Sequence, residues 1–530
     1  MISSIRPNRL SLASSVLVLS CLACPQPLTA SDKGYAEAVL ADQPVGYWRF
    51  EDQADSPTAT DSAQNTASVQ GTYHNVSLGN PSATAALGSA AAFSTHGKKS
   101  YIDLGSPKPL MIKGDLTIEW WQYMTHDDTE DRSIISWASP GESAEDNVLY
   151  EMMLRYSSEQ KSENYPRPQL ALGHEYGQGN NLRAYSQAVI HPHKWYHIVA
   201  VRDAQAKTIQ YYINGMPSGE PIGYSDKHHN AEGGDAGGAA IGRLGQLDRR
   251  YFQGLLDEVA VYDHALTGGR VMAHYRAALN GTDMSGRAQI VGHRGNHHEA
   301  PENTLVSYEQ ALAAKAPIVE LDLHRSKDGV VILIHDDTVD RTTNGSGEVK
   351  DMTLAQLKTL DAGLWKDPRY AGETIPTFQE TAELCKGRAI MMLDLKADVK
   401  GHEIAKVLAS TGTAQDQIIV APWKIERAPG IKPYLPDAPM ILLHSKPPST
   451  YNGDDQFFVD MKAMGFSGFS LKWMHLTQAF VDDAHRHGMK VHSWTINDPE
   501  DISGAVLMGI DGIITDYPEA AAAQVKQILD

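Results

Sequence analysis

The stretch Gln289–Asp337, QIVGHRGNHHEAPENTLVSYEQALAAKAPIVELDLHRSKDGVVILIHDD, decides how the rest of the chain is read. Ile290 and Val291 form an apolar run that delivers Gly292-His293-Arg294-Gly295 into a turn. After a corner at Pro301-Glu302-Asn303-Thr304, Leu305, Tyr308, Ala311 and Leu312 recur at a period near 3.6 and predict a helix. Ile318-Val319-Glu320-Leu321-Asp322-Leu323 then alternates with period two, so Glu320 and Asp322 project from the same side of one strand. A turn at Lys327-Asp328-Gly329 leads into a second apolar run, Val330 to Ile334, which ends in His335-Asp336-Asp337.

Two carboxylates on one strand face, a His at each of two neighbouring strand ends and an Arg beside the first His form a set with chemical meaning. Oxygen ligands suit a hard divalent cation, Mg²⁺ or Ca²⁺, and Arg294 offers a planar fork of donors to a phosphate. Two imidazoles can move protons near neutral pH. Together these parts describe metal-assisted hydrolysis of a phosphodiester. Singly, each has a plainer role: a strand-end His is commonly structural, a strand carboxylate commonly meets solvent, and Glu302, Asn303 or Thr304 can serve a helix N-terminus. Their occurrence together and in order favours the chemical reading.

His293-Arg294-Gly295, Pro301 to Thr304, Glu320-Leu321-Asp322 and Val331 to Asp336 resemble the glycerophosphodiester phosphodiesterase family. The resemblance continues through Asp361-Ala362-Gly363, Ile375 to Phe378, Leu393-Asp394-Leu395-Lys396, Val491 to Asn497 and Gly512 to Pro518. It implies His293 and His335 as an acid/base pair, Glu320, Asp322 and Asp394 as ligands of one divalent cation, Mg²⁺ or Ca²⁺, and Arg294 and Lys396 as holders of phosphate oxygens. Glu302 and Asn303 are then supporting residues. Trp494 and Asn497 resemble a segment lining the glycerol pocket, with Phe469, Trp473 and Tyr517 as further candidates. The implied substrate is a glycerophosphodiester, split into glycerol 3-phosphate and an alcohol; attack by the glycerol hydroxyl through a cyclic phosphate and direct attack by water both fit the residues. The position of Asp394 is often Glu in the family, and the shorter arm moves a cation by about 1.5 Å or draws in a water. The link from His335 to Pro376 resembles the family's short substrate-side insertion and is expected to bear on alcohol selectivity.

Ahead of this region, from Ser31 to about Thr282, short alternating runs are separated by Gly, Ser, Asn and Asp clusters: Gly46 to Phe50, Leu116 to Trp121, Trp195 to Val201, Ile209 to Ile213 and Leu256 to Tyr262. Alternation with aromatic and β-branched residues predicts a two-sheet sandwich, and Asn214-Gly215 predicts a hairpin. Tyr47 to Phe50, Asp115 to Trp121, Trp195 to Arg202, Tyr212 to Gly215 and Leu255 to Leu266 resemble laminin G or concanavalin A-like sandwiches, which implies a targeting module or one that binds a glycan or cell-surface polymer. Trp48, Trp120, Trp121 and Trp195 are expected in the core.

From Ala288 onward, apolar strands alternate with helices, with strands near 289–293, 318–323, 389–395, 417–421, 439–443, 466–470, 489–495 and 510–514. Eight such units fit a (β/α)8 TIM barrel, whose C-terminal strand ends would carry His293, Glu320, Asp322, Asp394, Lys396 and Trp494. The expected organisation is therefore an export signal over 1–30, an all-β concanavalin A-like jelly-roll sandwich over 31–280, a linker over 281–287 and an α/β barrel over 288–530.

Composition agrees with a multidomain globular protein: 530 residues, 42% hydrophobic and 8% aromatic. A formal net charge of −19 argues against a nucleic-acid partner. Arg6 and Arg9 precede an apolar stretch, Leu10 to Ala23, too short and polar to span a bilayer. Export follows, either with cleavage after Ala30 to release a soluble periplasmic or extracellular protein, or through a lipoprotein-like box ending at acylated Cys21. The third cysteine, Cys385, sits in a helix-like segment and is expected to be a buried apolar residue. His297 and His298 are expected in a solvated loop, and Asp336-Asp337 as links in the loop after His335. Two competing readings remain: a related phosphodiesterase acting on lysophospholipid, sphingolipid or a wall polymer, and a binding protein whose barrel is inert.

Overall fold

The computed structural model describes residues 34–529 apart from 65–66, 94–97, 126–129, 140–146, 157–167, 177–182, 187–188, 225–236, 283, 285 and 452. The expected export signal and Cys21 lie outside the described residues. No helix among them is long and apolar enough to cross a membrane.

Two antiparallel sheets form the N-terminal unit. The first runs in the order Met216–Pro217, Thr208–Ile213, Trp195–Asp203, Leu116–Met124, Gly254–Tyr262, Ser89–Phe93, Ser77–Pro81, with Gly46–Trp48 and Ile222–Gly223 added at its sides. The second runs Arg183–Tyr185, Pro168–Tyr176, Asn147–Tyr156, Arg132–Ser139, Gly238–Ile241, Tyr101–Gly105, Gly71–His74, Thr58–Ala59. Trp48, Trp120, Trp137, Ile118, Ile198 and Tyr211 fill the space between them. Asn214 and Gly215, at φ +51° and +79°, make the hairpin turn between Ile213 and Met216 that the sequence signals.

The first sheet is buried on both faces, which is why Leu116–Met124 is nearly all buried although it alternates in chemistry. Ile118 and Trp120 face the sandwich core, while Glu119 and Trp121 face the helices Tyr35–Ala41 and Gly268–Leu279. Glu119 is enclosed but satisfied: it accepts from Tyr35 and Tyr262 hydroxyls at 2.8 Å each, and His197 and His274 lie at 2.8 and 3.0 Å. A buried carboxylate without such partners would be untenable.

The C-terminal unit is a barrel. Its parallel strands follow the order Ile418–Ala421, Ile390–Leu395, Ile318–Arg325, Gln289–Gly292, Gly512–Thr515, Lys490–Trp494, Gly468–Lys472, Ile441–His444, and a parallel bridge between Val420 and Met440 closes the ring. Val331–Leu333 pairs antiparallel with the end of Ile318–Arg325, so it is a hairpin arm and not a ninth stave. Alternation sorts the side chains: Val319, Leu321, Met391 and Leu393 face the helices, while Ile318, Met392, Ile419, Ile441, Leu443 and Ile514 fill the interior. Glu320, Asp322 and Asp394 continue that interior face upward, above an apolar floor.

One apolar cluster runs from Trp121 and Tyr262 of the first sheet, through Tyr275, to Ile290, Leu321 and Val506 of the barrel. Polar bonds pin the same boundary: Lys194 Nζ donates to the Trp473 carbonyl at 2.6 Å and Tyr275 Oη to the Ser503 carbonyl at 2.7 Å. Cys385 is buried at the end of the helix Phe378–Cys385, where burial pushes its thiol up to about 12.

Candidate active site

The strand Gln289–Gly292 ends at the barrel's C-terminal rim and passes His293 and Arg294 into a tight turn. Arg294 and Asn303 adopt φ +52° and +56°, and Gly295 adopts +91° against Ser307, where a side chain would collide. Both non-glycine residues are fixed by bonds into the site. The Arg294 N–H donates to Glu320 Oε2 at 3.0 Å; Asn303 Nδ2 donates to Asp322 Oδ2 at 2.7 Å while its Oδ1 accepts from the Tyr308 hydroxyl at 2.8 Å. Thr304, not Glu302, caps the helix Leu305–Ala313.

Strand register places the carboxylates together. Glu320 and Asp322 lie two residues apart on one strand, and Asp394 sits opposite Asp322 on the next. One oxygen from each of the three, all buried, lies within 4.8 Å of the others. Burial and the neighbouring charges of Asp322 and Asp394 push Glu320 well above the usual carboxylate range. Burial likewise raises Asp394, with Asp322, to about 6 against the pull of Lys396, whereas Asp322 stays ionised, brought down to about 2 because Arg294 and Lys396 outweigh its burial. Lys396 Nζ lies 2.7 Å from Asp394 Oδ2 and 3.3 Å from Asp322 Oδ1. Trp423 Nε1 donates to the other Asp394 oxygen at 2.7 Å.

Each catalytic-candidate imidazole is held by a carboxylate. His293 Nδ1 lies 2.6 Å from Asp516 Oδ1, and His335 Nδ1 lies 2.7 Å from Asp336 Oδ1. A carboxylate only accepts, so Nδ1 carries the hydrogen in both rings and Nε2 is left for chemistry. Burial lowers the His293 pKa, with the hydrogen bond to Asp516 partly offsetting it. Asn497 completes this side: its Nδ2 donates to Asp516 Oδ2 at 2.8 Å and its Oδ1 accepts from the Asp516 N–H at 2.9 Å.

Arg341, unrecognised in the sequence, joins the two halves of the site. It donates to both Glu302 oxygens at 2.8 Å and to Asp336 at 2.6 and 3.1 Å, while Glu302 also accepts from Arg294 at 2.7 Å. The long link after His335 thus ties the ring to the guanidinium beside the carboxylates.

His293, Arg294, Glu320, Asp322, His335, Asp394, Lys396 and Trp494 all line one cavity of about 180 Å³, floored by Met392, Leu443 and Ile514. These eight residues of the sequence motifs are brought together, with Glu302, Asn303 and Asn497 behind them. Phe469 is a correction: it packs outward with Phe457, Phe458 and Phe480, because its place in the alternation faces the helices. Trp473 lines a different cleft, and the Tyr517 ring meets His298 in a tilted contact, centroids 4.2 Å apart. His297 is also not in a solvated loop; it is half-buried, 3.1 Å from Asp516 and 3.3 Å from Glu302. Sequence reasoning does not single out Trp423 or Asp516, although Pro422 and Thr515 alone separate them from the C-terminal ends of predicted strands.

Residues 293–520 match the model of the glycerophosphoryl diester phosphodiesterase family. A glycerophosphodiester phosphodiesterase of Bacillus subtilis is 32% identical over 262 residues, which is 46% of this chain and 88% of that protein. Another, from Caldanaerobacter subterraneus, is 31% identical over 243 residues, covering 45% of this chain and 98% of its own. The chain belongs to the glycerophosphodiester phosphodiesterase family. It is a phosphoric diester hydrolase. A solved Oleispira antarctica phosphodiesterase in complex with the product sn-glycerol-3-phosphate is 29% identical, covers 46% of this chain and 98% of its own, and has a TM-score of 0.42. Residues 96–272 match the concanavalin A-like lectin/glucanases superfamily, in keeping with the sandwich.

Proposed function

We propose that the protein hydrolyses glycerophosphodiesters to glycerol 3-phosphate and an alcohol, using one divalent cation held by Glu320, Asp322 and Asp394 and an acid/base pair of His293 and His335. The observation that carries this reading is the meeting of three buried carboxylates and two carboxylate-oriented imidazoles in one cavity. The donor set fits Mg²⁺ or Ca²⁺: it is all oxygen, and the upward push on Glu320 and Asp394 marks a negative field that a cation would relieve. A bound ion supplies Lewis-acid polarisation of the phosphoryl group.

The chain's own residues do the remaining work. Arg294 and Lys396 present positive charge on either side of Asp322 and hold the phosphoryl oxygens. One imidazole, neutral, takes the proton of the attacking hydroxyl at Nε2, and the other, entering the step as the imidazolium, gives its Nε2 proton to the departing alkoxide and ends neutral, so the alcohol leaves neutral. Asp516 and Asp336 keep both rings in the required tautomer. Trp423 and Trp494, edge to face at 5.9 Å, form an apolar part of the cavity wall.

This reading includes export, through a signal over residues 1–30, and two units over 31–280 and 288–530 joined by 281–287. The test is release of glycerol 3-phosphate from glycerophosphocholine by the full chain, with and without a chelator. Turnover that the chelator abolishes and added Mg²⁺ or Ca²⁺ restores is expected. Absence of turnover with any glycerophosphodiester would overturn the assignment.

A further inference from the structure

Among the described residues, a second cleft adjoins the catalytic cavity and exceeds it in volume. It measures about 610 Å³ against about 180 Å³, and it lies where the sandwich meets the C-terminal rim of the barrel. The barrel contributes Lys472 and Trp494, the last residues of their strands, together with Asp498, Glu500 and Asp501 from the following loop and helix. The sandwich contributes the opposite wall, notably His191, Tyr196 and Pro217.

Cleft and cavity share Trp494 and Thr495, so they are adjoining rooms with one partition. The shared wall is fixed in place. Lys194 Nζ donates to the Trp473 carbonyl and sits 3.3 Å from the centre of that indole ring, while Asn214 Nδ2 donates to the Glu500 carbonyl at 3.2 Å. A loop of the sandwich also accepts a backbone bond, from Gln478 N–H to the His193 carbonyl at 3.3 Å. The sandwich is therefore docked rigidly beside the reaction centre, not tethered at a distance.

We propose that this interdomain cleft is the subsite for the departing alcohol, and that it takes a bulky, neutral, polyhydroxylated group. This rests on the diesterase reading of the neighbouring cavity. A diester whose phosphate is held at Arg294 and Lys396 has a glycerol side and an alcohol side. The inner cavity has less than a third of the cleft's volume, so the larger of the two groups belongs past Trp494.

The lining selects the chemistry. Trp494 lines the cleft with an indole that suits the C–H surface of a sugar or cyclitol, and Asp498 and Glu500 offer acceptors to its hydroxyls. Asp498 and Glu500 together outweigh Lys472 on this wall and disfavour a second phosphate, while Asp501 is countered by Lys194, which argues against an anionic polymer entering here. A compact ammonium group would leave most of the volume unfilled. The sandwich is then part of the substrate site, and the selectivity of the enzyme depends on it.

The experiment compares kcat/KM for glycerophosphoinositol and glycerophosphoethanolamine in the full chain, as wild type and with the sandwich wall enlarged by His191→Trp or, separately, Pro217→Trp. The expected result is a loss of at least tenfold with the inositol diester and less than threefold with the ethanolamine diester. Folding is checked by the ethanolamine activity itself. Equal losses on both substrates, or no loss on either, would overturn the proposal. As a measurement that needs no variant, free myo-inositol should inhibit wild-type hydrolysis competitively and ethanolamine should not; the reverse order would also overturn it. If wild type turns over neither diester in the presence of Mg²⁺ or Ca²⁺, the underlying diesterase reading fails instead, an outcome distinct from loss of selectivity.

Discussion

Asp516→Asn removes one charge and one acceptor from the hub behind His293. In the native site, Oδ1 of Asp516 faces His293 and His297 while Oδ2 accepts from Asn497. Both oxygens are acceptors, so an amide NH₂ in either place meets a donor. Turned toward the histidines, it forces His293 into the other tautomer; turned toward Asn497, it breaks the brace that holds the loop. A hydrogen bond to a charged group contributes roughly 1.5–3 kcal/mol, and at 1.36 kcal/mol per decade its loss from the proton-transfer step lowers kcat by about 10- to 150-fold. KM for glycerophosphocholine should change little, since Arg294 and Lys396 are untouched. The carboxylate also raises the His293 pKa against its burial. Without it the acid limb of the kcat/KM profile moves to lower pH. Steady-state release of glycerol 3-phosphate across that limb checks both effects. A variant whose kcat stays within about threefold of wild type and whose acid limb does not move would refute the role given to Asp516.

Three other outcomes are expected. Trp423→Phe removes the indole donor to Asp394 and should weaken Mg²⁺ or Ca²⁺ binding by about tenfold, as loss of a ligand-orienting contact does, read by titration calorimetry; unchanged affinity would contradict that role. Glu302→Ala strips Arg294 and Arg341 of a carboxylate whose side chain is only 2% exposed, which should cost roughly 3 kcal/mol of stability, seen as a lower midpoint in denaturant. His274, raised to about 9 because Glu119 and Asp42 outweigh its burial, stabilises the sandwich most below about pH 6.5, and that stabilisation is lost as pH rises through about 9. The change is up to ~3 kcal/mol. Thermal melts of wild type should show the alkaline decline and His274→Asn should flatten it; identical slopes would count against the buried triad.

The sequence made some parts of this site readable because they depend on local periodicity. Period two placed Glu320 and Asp322 on one face, and the barrel rule placed His293, Asp394 and Lys396 at strand ends. Aromatic and β-branched alternation marked the sandwich, and Trp48, Trp120 and Trp121 are buried in or beneath it as expected. What escaped depends on contacts between distant segments. The register that sets Asp394 opposite Asp322 is a property of two strands more than seventy residues apart, and Arg341 reaches Glu302 across a loop with no periodic signal. Phe469 failed for a different reason: a one-residue step in alternation decides whether a barrel side chain points to substrate or to helices. His297 looked like a loop residue because its partners, Asp516 and Glu302, come from the two ends of the barrel sequence. The docking of the sandwich on the catalytic rim had no sequence signal at all.

The account stands most directly on the carboxylate trio, and the dependence of glycerophosphocholine turnover on divalent cation concentration in wild type and Asp322→Asn measures it. Wild type should show saturable activation by Mg²⁺ or Ca²⁺, and the variant should need much higher concentrations or show no activation. Full activity of the metal-stripped wild type, or a variant that saturates at the same concentration, would contradict it.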